Sequence, residues 1–306
     1  MMRRHLSSRV MVVVAIAAMA ACSSNETQKS FPTTSAAESA TTTIASGPSD
    51  NQSSAAQVPT GFDSLVTTDG VTRTYRVVDS SGDEESPLLF VLHGFGGTAD
   101  DMRRYTEIES RLENTADFGV IVVYPNGTGG SEGLPQSWNA GGCCPFATLN
   151  LVDDVAFFDQ MITKLAADYD VDTKNIWVMG HSNGGMMAYR LACELSSRIT
   201  AIGVAAGSLM IDTCVPTQTV SSLHVHGELD SVVPIAGGET AGITFPSAQT
   251  SYRRFAEANS CTISGQESSC SNDKAIRLVT DASWTHDWQP QWTTLFADFF
   301  ASQYRD

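Results

Sequence analysis

The sequence predicts an α/β domain with a mostly parallel central sheet that is covered by helices on both faces. Three observations support this fold class. From about residue 58 onward, short apolar runs rich in β-branched residues alternate with longer segments of helical period. The short runs are apolar throughout, as in strands that are buried on both faces of a sheet. Hydrophobic residues make up 42% of the 306-residue chain, which suffices for the core of one such domain.

The predicted elements alternate along the chain. Strands are assigned to the β-branched apolar runs, and helices to segments with apolar residues at helical spacing. The predicted strands are residues 72–78, 88–92, 120–124, 176–179, 202–206, 223–226 and 275–279. The predicted helices are residues 100–115, 151–169, 186–195 and a closing helix at 292–302.

The N-terminus has the pattern of an export signal. Three arginines among the first nine residues precede an apolar segment, residues 10–21, that is too short to span a bilayer as a helix. The letters MAAC at its end resemble the bacterial lipobox, in which a signal peptidase cleaves before a cysteine that receives lipid. We therefore predict a lipoprotein signal peptide at residues 1–21 and lipidation of Cys22 as the one link to the cell envelope membrane. If the lipobox is not used, we expect a secreted protein.

Residues 22–57 have the composition of a disordered tether. Ser, Thr and Ala dominate, large apolar residues are scarce, and neither a period of 2 nor one of 3.6 is present. Such a segment cannot bury enough apolar surface to offset the entropy lost on ordering. We expect it to hold a folded domain, residues 58–306, away from the membrane.

The charge balance restricts the kind of partner. Lys and Arg number 18 against 34 Asp and Glu, which gives a formal net charge of −16. An acidic surface of this kind repels nucleic-acid phosphates and anionic lipid headgroups. We therefore expect no nucleic-acid partner and a neutral or cationic ligand.

A candidate nucleophile lies where the predicted strand 176–179 meets the predicted helix 186–195. The letters GHSNGG at residues 180–185 contain the pattern Gly-x-Ser-x-Gly, with Ser182 at its centre. In a nucleophile elbow the serine occupies a tight strand-to-helix turn, and the flanking glycines let strand and helix approach without Cβ clashes. Because the motif has this strand-turn-helix context, Ser182 is the predicted nucleophile.

Two turns are predicted to supply backbone donors to an oxyanion. The letters HGFGG at residues 93–97 follow the predicted strand 88–92 and match the H-G-x-G type of oxyanion turn. We place this donor at the N–H of Phe95, with the neighbouring Gly96 as the alternative. The second donor is the N–H of Asn183, the residue after the nucleophile. His93 is expected to form structural hydrogen bonds.

The acid and the base are expected to follow the nucleophile in the chain. Asp230 lies just after the predicted strand 223–226, where the acid belongs, and Glu228 is the alternative. His286 lies in the loop after the last predicted strand, and no other histidine follows Asp230. The predicted triad is therefore Ser182, Asp230 and His286. The two histidines within the strand 223–226 are expected to be structural.

Five segments together carry a resemblance to a known family. They are LHGFGG, VMGHSNGG, HVHGELDSVVP, SWNAGGCC and DDVAFF, and a late histidine precedes the closing helix. The chain thus resembles the poly(3-hydroxybutyrate) depolymerase and feruloyl esterase-like family of α/β-hydrolases, in its lipoprotein branch, from about residue 61 to the C-terminus. The resemblance implies a single catalytic domain of α/β-hydrolase fold that cleaves carboxylic esters with a Ser-Asp-His triad and no metal or other cofactor. The family often has G-H-x-W-P around its histidine, whereas this chain has THDWQP.

Apart from the lipobox cysteine, the chain has six cysteines, an even number that suits disulfides in an exported protein. Cys261 and Cys270 bracket a short polar loop and are the first predicted bridge. The pairing of the others stays open, with Cys193 and Cys214 as the next candidate pair and adjacent Cys143 and Cys144 remaining. The Cys and His spacings of a zinc site are absent from the sequence, so no metal site is predicted.

Trp138, Trp284 and Trp288 lie in segments that are expected to border the site. We predict that they contact the substrate by stacking on an aromatic acyl group or an apolar polymer, with core packing as the alternative. Besides an ester hydrolase, two functions stay open. An acyltransferase would use the same triad but exclude water, and a surface binding protein would carry a silent site. No prediction is made for the oligomeric state.

Overall fold

The computed structural model describes residues 61–82, 84–129 and 134–305. The predicted signal peptide at residues 1–21, the predicted lipidation site Cys22 and the predicted tether at residues 22–57 lie outside the described residues. Within the described ranges, no helix is both long enough and apolar enough to cross a membrane.

The described residues form twelve strands and seven α-helices. The strands are β1 (Asp63–Val66), β2 (Thr72–Asp79), β3 (Ser86–Leu92), β4 (Ile121–Pro125), β5 (Val171–His181), β6 (Ala201–Ala205), β7 (Ser221–Gly227), β8 (Gly238–Thr240), β9 (Ile243–Phe245), β10 (Thr262–Ser264), β11 (Glu267–Ser269) and β12 (Ala275–Asp281). The helices are α1 (Ala99–Thr106), α2 (Ile108–Thr115), α3 (Pro145–Leu149), α4 (Asp154–Asp168), α5 (Asn183–Glu194), α6 (Ala248–Ala258) and α7 (Pro290–Gln303).

One large sheet organises the described residues. Its strand order is β1-β2-β4-β3-β5-β6-β7-β12-β11-β10, while β8 and β9 form a separate hairpin. The six strands from β4 to β12 pair in parallel, and the strands at the two edges are antiparallel. The predicted fold class is therefore confirmed. Loops that follow β3, β5, β7 and β12 all leave the same edge of the sheet, where ligands bind in open α/β sheets.

The sheet has a hydrophobic core on each face. Along β3, the side chains of Leu88, Phe90 and Leu92 join the core on one face, and those of Leu89 and Val91 join the core on the other. Helices α4, α5 and α6 cover the first core, and α1, α2 and α7 cover the second. Since burying one such side chain stabilises the fold by about 1.5–3 kcal/mol, double coverage explains why residues 88–92 of β3 are all apolar.

The structure changes several predicted boundaries. The predicted helix 100–115 is two helices, because Glu107 adopts a left-handed conformation with φ 43° and its N–H closes α1 on the carbonyl of Arg103. The predicted strand 176–179 begins earlier, at Val171. Strand β1 and the hairpins β8–β9 and β10–β11 were not predicted, because strands of three or four residues lack a strong periodic signal. Helices α3 and α6 were also not predicted.

The six cysteines form three disulfides. Cys261 and Cys270 are joined across the β10–β11 hairpin, as predicted. The candidate pair Cys193 and Cys214 is also joined, and Cys143 is bonded to its neighbour Cys144. The predicted bridges are therefore confirmed.

Candidate active site

Ser182 lies on a sharp turn between β5 and α5. Its φ of 54° is in the left-handed region, which a serine adopts at a cost of about 1–3 kcal/mol. The turn is fixed because the Ser182 N–H donates to the carbonyl of Ala205 at 2.8 Å and the Ser182 carbonyl accepts from the N–H of Met186 at 2.9 Å. A Cβ at Gly180 would overlap the backbone of Gly184, so the first motif glycine permits the strand and helix to meet.

The structure brings the three predicted triad residues together. The Nε2 atom of His286 lies 3.0 Å from the Oγ of Ser182. The Nδ1 atom of His286 lies 2.8 Å from the Oδ2 of Asp230. Because a carboxylate oxygen only accepts, Nδ1 donates to Asp230, and Nε2 of the neutral ring is left to accept the Ser182 proton. This is the geometry of a nucleophile, a base and the acid that orients the base.

Asp230 is buried and supplied with several donors. Its Oδ1 accepts from the N–H groups of Val232 at 2.9 Å and Val233 at 2.8 Å. Burial raises the pKa of the Asp230 carboxyl, but hydrogen bonds from His226, His286 and Val233 outweigh burial and hold the pKa below its usual range. Glu228, the alternative acid, is exposed, and no hydrogen bond between Glu228 and His286 is present among the described residues. Asp230 is thus placed to act as an ionised acid at neutral pH.

The oxyanion turn is oriented by the carbonyl of Gly94. That carbonyl accepts from His93 Nδ1–H at 2.7 Å and from the Gly97 N–H at 3.1 Å. In a trans peptide the next N–H points the opposite way, so both donors aim the Phe95 N–H away from the turn. Within the described residues, the Phe95 N–H has no hydrogen-bond partner.

The alternative donor Gly96 is already engaged. Its N–H donates to the carbonyl of Gln136 at 2.8 Å and is unavailable to an oxyanion. The geometry therefore favours Phe95 over Gly96. The N–H of Asn183 at the start of α5 is the second donor position, and it too lacks a described partner. Together, two unpaired N–H groups beside a serine suit the stabilisation of a tetrahedral oxyanion.

His93 is buried and structural, as expected from the sequence. Its Nδ1–H donates to Gly94, while its Nε2 accepts from the N–H of Gly127 at 2.9 Å. Both bonds require the neutral ring. Burial lowers the pKa of His93 to about 4, so the ring is neutral at physiological pH.

Trp138 does not lie on the substrate surface. Its side chain is completely buried, and its indole N–H donates to the carbonyl of His93 at 2.9 Å. Its backbone N–H donates to the side-chain oxygen of Asn183 at 2.7 Å, and its carbonyl accepts from the Asn183 amide at 3.0 Å. The predicted substrate contact of Trp138 is therefore corrected. The residue instead anchors the elbow, since its ring fills the core between β3 and α4.

The other two tryptophans pack against α7. Trp284 is 8% exposed and meets the ring of Trp292 edge-on at 5.7 Å, so its predicted substrate contact is also corrected. Trp288 is half-buried, and its indole N–H donates to the Oγ1 of Thr293 at 3.1 Å. A substrate contact of Trp288 stays a prediction.

His181 is a site residue that the sequence reasoning missed. It is the first of the two variable residues within the Gly-x-Ser-x-Gly motif, and its Nε2–H donates to the backbone carbonyl of His286 at 2.7 Å. The two imidazole rings are 4.9 Å apart. Burial lowers the pKa of His181 to about 4. No motif signals this bond, because it joins positions that are far apart in the chain.

A cleft of about 290 Å³ borders the oxyanion turn. It is lined by the turn itself, with Phe95, and by Asp101, Met102, Tyr105 and His181. Phe95 is 49% exposed and Tyr105 is 54% exposed, so two aromatic rings face solvent beside the site. Such rings offer an apolar surface to a ligand that approaches the oxyanion donors.

The elbow, the triad and the oxyanion donors on this sheet define an α/β-hydrolase. Comparison with known proteins agrees with this class. A family model described as phospholipase/carboxylesterase matches residues 150–260. A solved structure called a ferulic acid esterase superposes with a TM-score of 0.56 at 14% identity, covering 79% of this chain and 97% of that one. This structural likeness concerns the fold.

Two curated proteins are similar in sequence to part of this chain. Feruloyl esterase B of Piromyces equi is 31% identical over 192 residues, which are 60% of this chain and 34% of that protein. A probable feruloyl esterase C of Aspergillus terreus is 33% identical over 163 residues, which are 52% of this chain and 54% of that protein. The chain thus spans about a third to a half of the relatives' length. In sequence it is similar to feruloyl esterases over part of their length, and its fold is that of an α/β-hydrolase.

Proposed function

We propose that the protein is an exported serine carboxylic-ester hydrolase that acts through an acyl-serine intermediate. The observation that carries this proposal is the unbroken line of contacts from the Ser182 hydroxyl through His286 to Asp230, at 3.0 and 2.8 Å. The two oxyanion donor positions beside Ser182 add support.

In the acylation step, each residue of the site has a separate role. His286 Nε2 accepts the Ser182 proton as Oγ attacks the ester carbonyl carbon, and Asp230 stabilises the imidazolium that forms. The Phe95 and Asn183 N–H groups stabilise the negative carbonyl oxygen. The bond to the alcohol then breaks, and the alcohol leaves with the proton from His286. The products of this step are the free alcohol and acyl-Ser182.

Water completes the cycle by the same route. His286 accepts a proton from water while the water oxygen attacks the acyl carbon, and the same N–H groups stabilise the second oxyanion. Collapse returns the proton to Ser182 and releases the acid. No group other than the triad and the two amides is needed.

The proposed substrate is a neutral ester of an aromatic or hydroxyalkanoic acid. The names of the two curated relatives support feruloyl esters, and the resemblance noted from the sequence adds 3-hydroxybutyrate oligomers. The exposed ring of Phe95 next to the oxyanion donor suits a planar apolar acyl group. The net charge of −16 disfavours anionic esters.

The proposed location is the cell envelope, through lipid on Cys22, or the exterior if the lipobox is not used. Three disulfides support an oxidising compartment, since such bonds are rare in reducing cytosol. Globomycin, which blocks lipoprotein signal cleavage, provides a test. Accumulation of an uncleaved precursor supports lipidation, and normal release in its presence supports secretion.

The function is tested by measuring hydrolysis of short-chain p-nitrophenyl esters, methyl ferulate and 3-hydroxybutyrate oligomers. Replacement Ser182→Ala should lower kcat by about 10⁶-fold with unchanged folding. The matched control is Ser110→Ala, at an exposed serine on α2, which should keep the wild-type rate. The ester that is hydrolysed fastest identifies the class of acyl group that the enzyme prefers. A folded wild type that cleaves none of the three contradicts the proposal, and transfer to an added alcohol would then identify an acyltransferase.

A further inference from the structure

Behind the triad, a row of hydrogen-bonded buried side chains connects α5 to Asp230. It consists of Tyr189, His224 and His226, and we call it the file. The hydroxyl of Tyr189 lies 3.0 Å from Nδ1 of His224. The Nε2 of His224 lies 3.1 Å from Nδ1 of His226. The Nε2 of His226 lies 2.8 Å from the carbonyl of Val233 and 3.4 Å from Oδ2 of Asp230. Tyr189, His224 and His226 are fully buried, and neither histidine takes part in the proton transfers described above.

When each of the two histidines carries one ring proton, the last acceptor of the file sets the direction of every hydrogen bond in it. A carbonyl oxygen cannot donate, so Nε2 of His226 carries a proton. In the neutral ring, Nδ1 of His226 is then an acceptor, and it receives the Nε2–H of His224. Burial, and next the neighbouring His226, hold the pKa of His224 well below its usual range, so His224 is neutral. Its Nδ1 therefore accepts from the Tyr189 hydroxyl.

We propose that His226 is a positioning residue for the triad acid, and that Tyr189 and His224 hold it in the one tautomer that faces Asp230 with an N–H. This inference rests on the proposed function, because it assigns a role within the same triad. It concerns two histidines that the sequence marks only as structural.

The tautomer matters because of what the loop after β7 contains. Val233 accepts from His226 and donates its own N–H to Asp230 Oδ1, so one residue receives the imidazole proton and orients the carboxylate. In the other tautomer, a lone pair of His226 would face the Val233 carbonyl and the Asp230 carboxylate. Both contacts would be repulsive in a site that water does not reach. The loop would move, and Oδ2 would lose its alignment with His286.

The first test compares two replacements of His226 in the full chain. His226→Leu removes the donor, and His226→Gln restores an N–H near the former Nε2. His226→Leu should lower kcat about 100-fold while KM stays within about twofold, because the substrate does not touch this residue. His226→Gln should recover at least about tenfold of that loss, the worth of a hydrogen bond to a charged group. Equal rates for the two variants, or a wild-type rate for folded His226→Leu, would overturn the proposal.

The second test uses a pair of matched tyrosines and does not depend on His226→Leu folding. Tyr189→Phe removes the hydroxyl that begins the file. Tyr252→Phe removes an equally buried hydroxyl that is bonded to Ser268 and has no link to Asp230. Tyr189→Phe should lower kcat by about threefold or more, and Tyr252→Phe should leave kcat unchanged. A similar effect of both replacements would mean that Tyr189 acts only through packing, and this would overturn the proposal.

Two measurements separate this proposal from the proposed function. A fluorophosphonate reports the reactivity of Ser182 without the natural substrate: Oγ bonds to phosphorus, the P–F bond breaks, fluoride leaves, and His286 takes the serine proton. A wild type that does not react contradicts the proposed function. Two-bond ¹H–¹⁵N NMR of the histidine rings then still reads the tautomer. We expect His226 protonated at Nε2 in the wild type and a mixed signal in Tyr189→Phe. Protonation at Nδ1 alone would overturn the inference.

Discussion

The loops that carry the acid and the base are supported in different ways. The Asp230 side chain is fully buried, and its carboxylate receives two backbone N–H groups from its own loop as well as the bond to His286. The His286 side chain is 17% exposed, and among the described residues its backbone carbonyl is held by one side chain, that of His181. The acid is thus fixed from within the fold, and the base is held mainly from one side.

This difference matches the role that each residue has in the proposed mechanism. The acid keeps one charge and one orientation throughout the reaction, so a rigid environment lowers the cost of reorganisation. The base exchanges protons with the serine, the leaving alcohol and water, and needs access to solvent. We therefore expect changes on the acid side to affect the reaction through orientation, and changes on the base side to affect it through the position of one loop.

The largest expected effect comes from removing the charge of the acid. Asp230→Asn keeps the size of the side chain but favours the wrong tautomer of His286, so kcat should fall about 10⁴-fold. Steady-state hydrolysis of a p-nitrophenyl ester measures this loss. A rate within a few-fold of the wild type would transfer the acid role to another residue, and the Glu228→Gln variant is the control that should keep activity.

Acid pH should lower the stability of the fold through its buried histidines before it does so through Asp230. His93 is neutral when folded down to a pKa of about 4, whereas the unfolded chain binds this proton below about pH 6.5. Stability is therefore unaffected above pH 6.5 and falls by about 3 kcal/mol between pH 6.5 and 4 from His93 alone. His181, with a pKa of about 4, acts in the same direction. Asp230, with its lowered pKa, contributes losses only below its ordinary value of 3.8.

Urea unfolding at several pH values measures this dependence. Asp154 opposes it, because burial raises its pKa despite the ion pair with Arg73 and favours proton uptake by the folded state. A His93→Gln variant should show a shallower decline between pH 6.5 and 4. The same decline in the wild type and in His93→Gln would contradict the buried, neutral state of His93.

A third prediction concerns the contact between the loop of Asp230 and the loop of His286. A Cβ at Gly227 would overlap the carbonyl of Trp284, which also accepts the N–H of Leu229 at 3.0 Å. Gly227→Ala should therefore displace the loop of His286 relative to Asp230 and lower kcat about 100-fold. A crystal structure and rate measurement of this variant would show whether activity follows the displacement. Full activity with the loop displaced would argue against a fixed base position.

The smallest expected effect is at the hydrogen bond between His181 and the backbone carbonyl of His286. His181→Phe keeps a ring beside Trp288 and Trp292 but removes the N–H that binds the His286 carbonyl. The loss of this hydrogen bond should lower kcat by up to about tenfold. His181→Gln, which retains a donor, should recover most of the rate in the same assay. If His181→Phe is as active as the wild type, the hydrogen bond from His181 does not position His286.

The parts of the site that the sequence predicts are those with a local cause. Ser182 follows from a strand, a turn and a helix in succession, and Asp230 and His286 follow from their positions after later strands. The choice of Phe95 over Gly96 depends on the carbonyl of Gln136, which the sequence does not place near the turn. Such contacts between distant segments appear only in the folded chain.

The wrong predictions have the same origin. Trp138 lies in a segment that was expected to border the site, but its ring is buried in the core between β3 and α4. The apolar period of residues 100–115 continues through Glu107, although the backbone breaks there. His226 and His224 alternate with Val225 along β7, so their strand position is visible, but the tyrosine of α5 that completes the file is not.

The central claim is that Ser182 becomes acylated with the help of His286 and Asp230. The most direct measurement is rapid-quench mass spectrometry of the full chain during turnover of p-nitrophenyl acetate. We predict a burst of p-nitrophenol and an acetyl group on the peptide that contains Ser182, with both absent from Ser182→Ala and strongly slowed in Asp230→Asn. Hydrolysis without an acyl-enzyme, or acylation of another residue, would contradict the account.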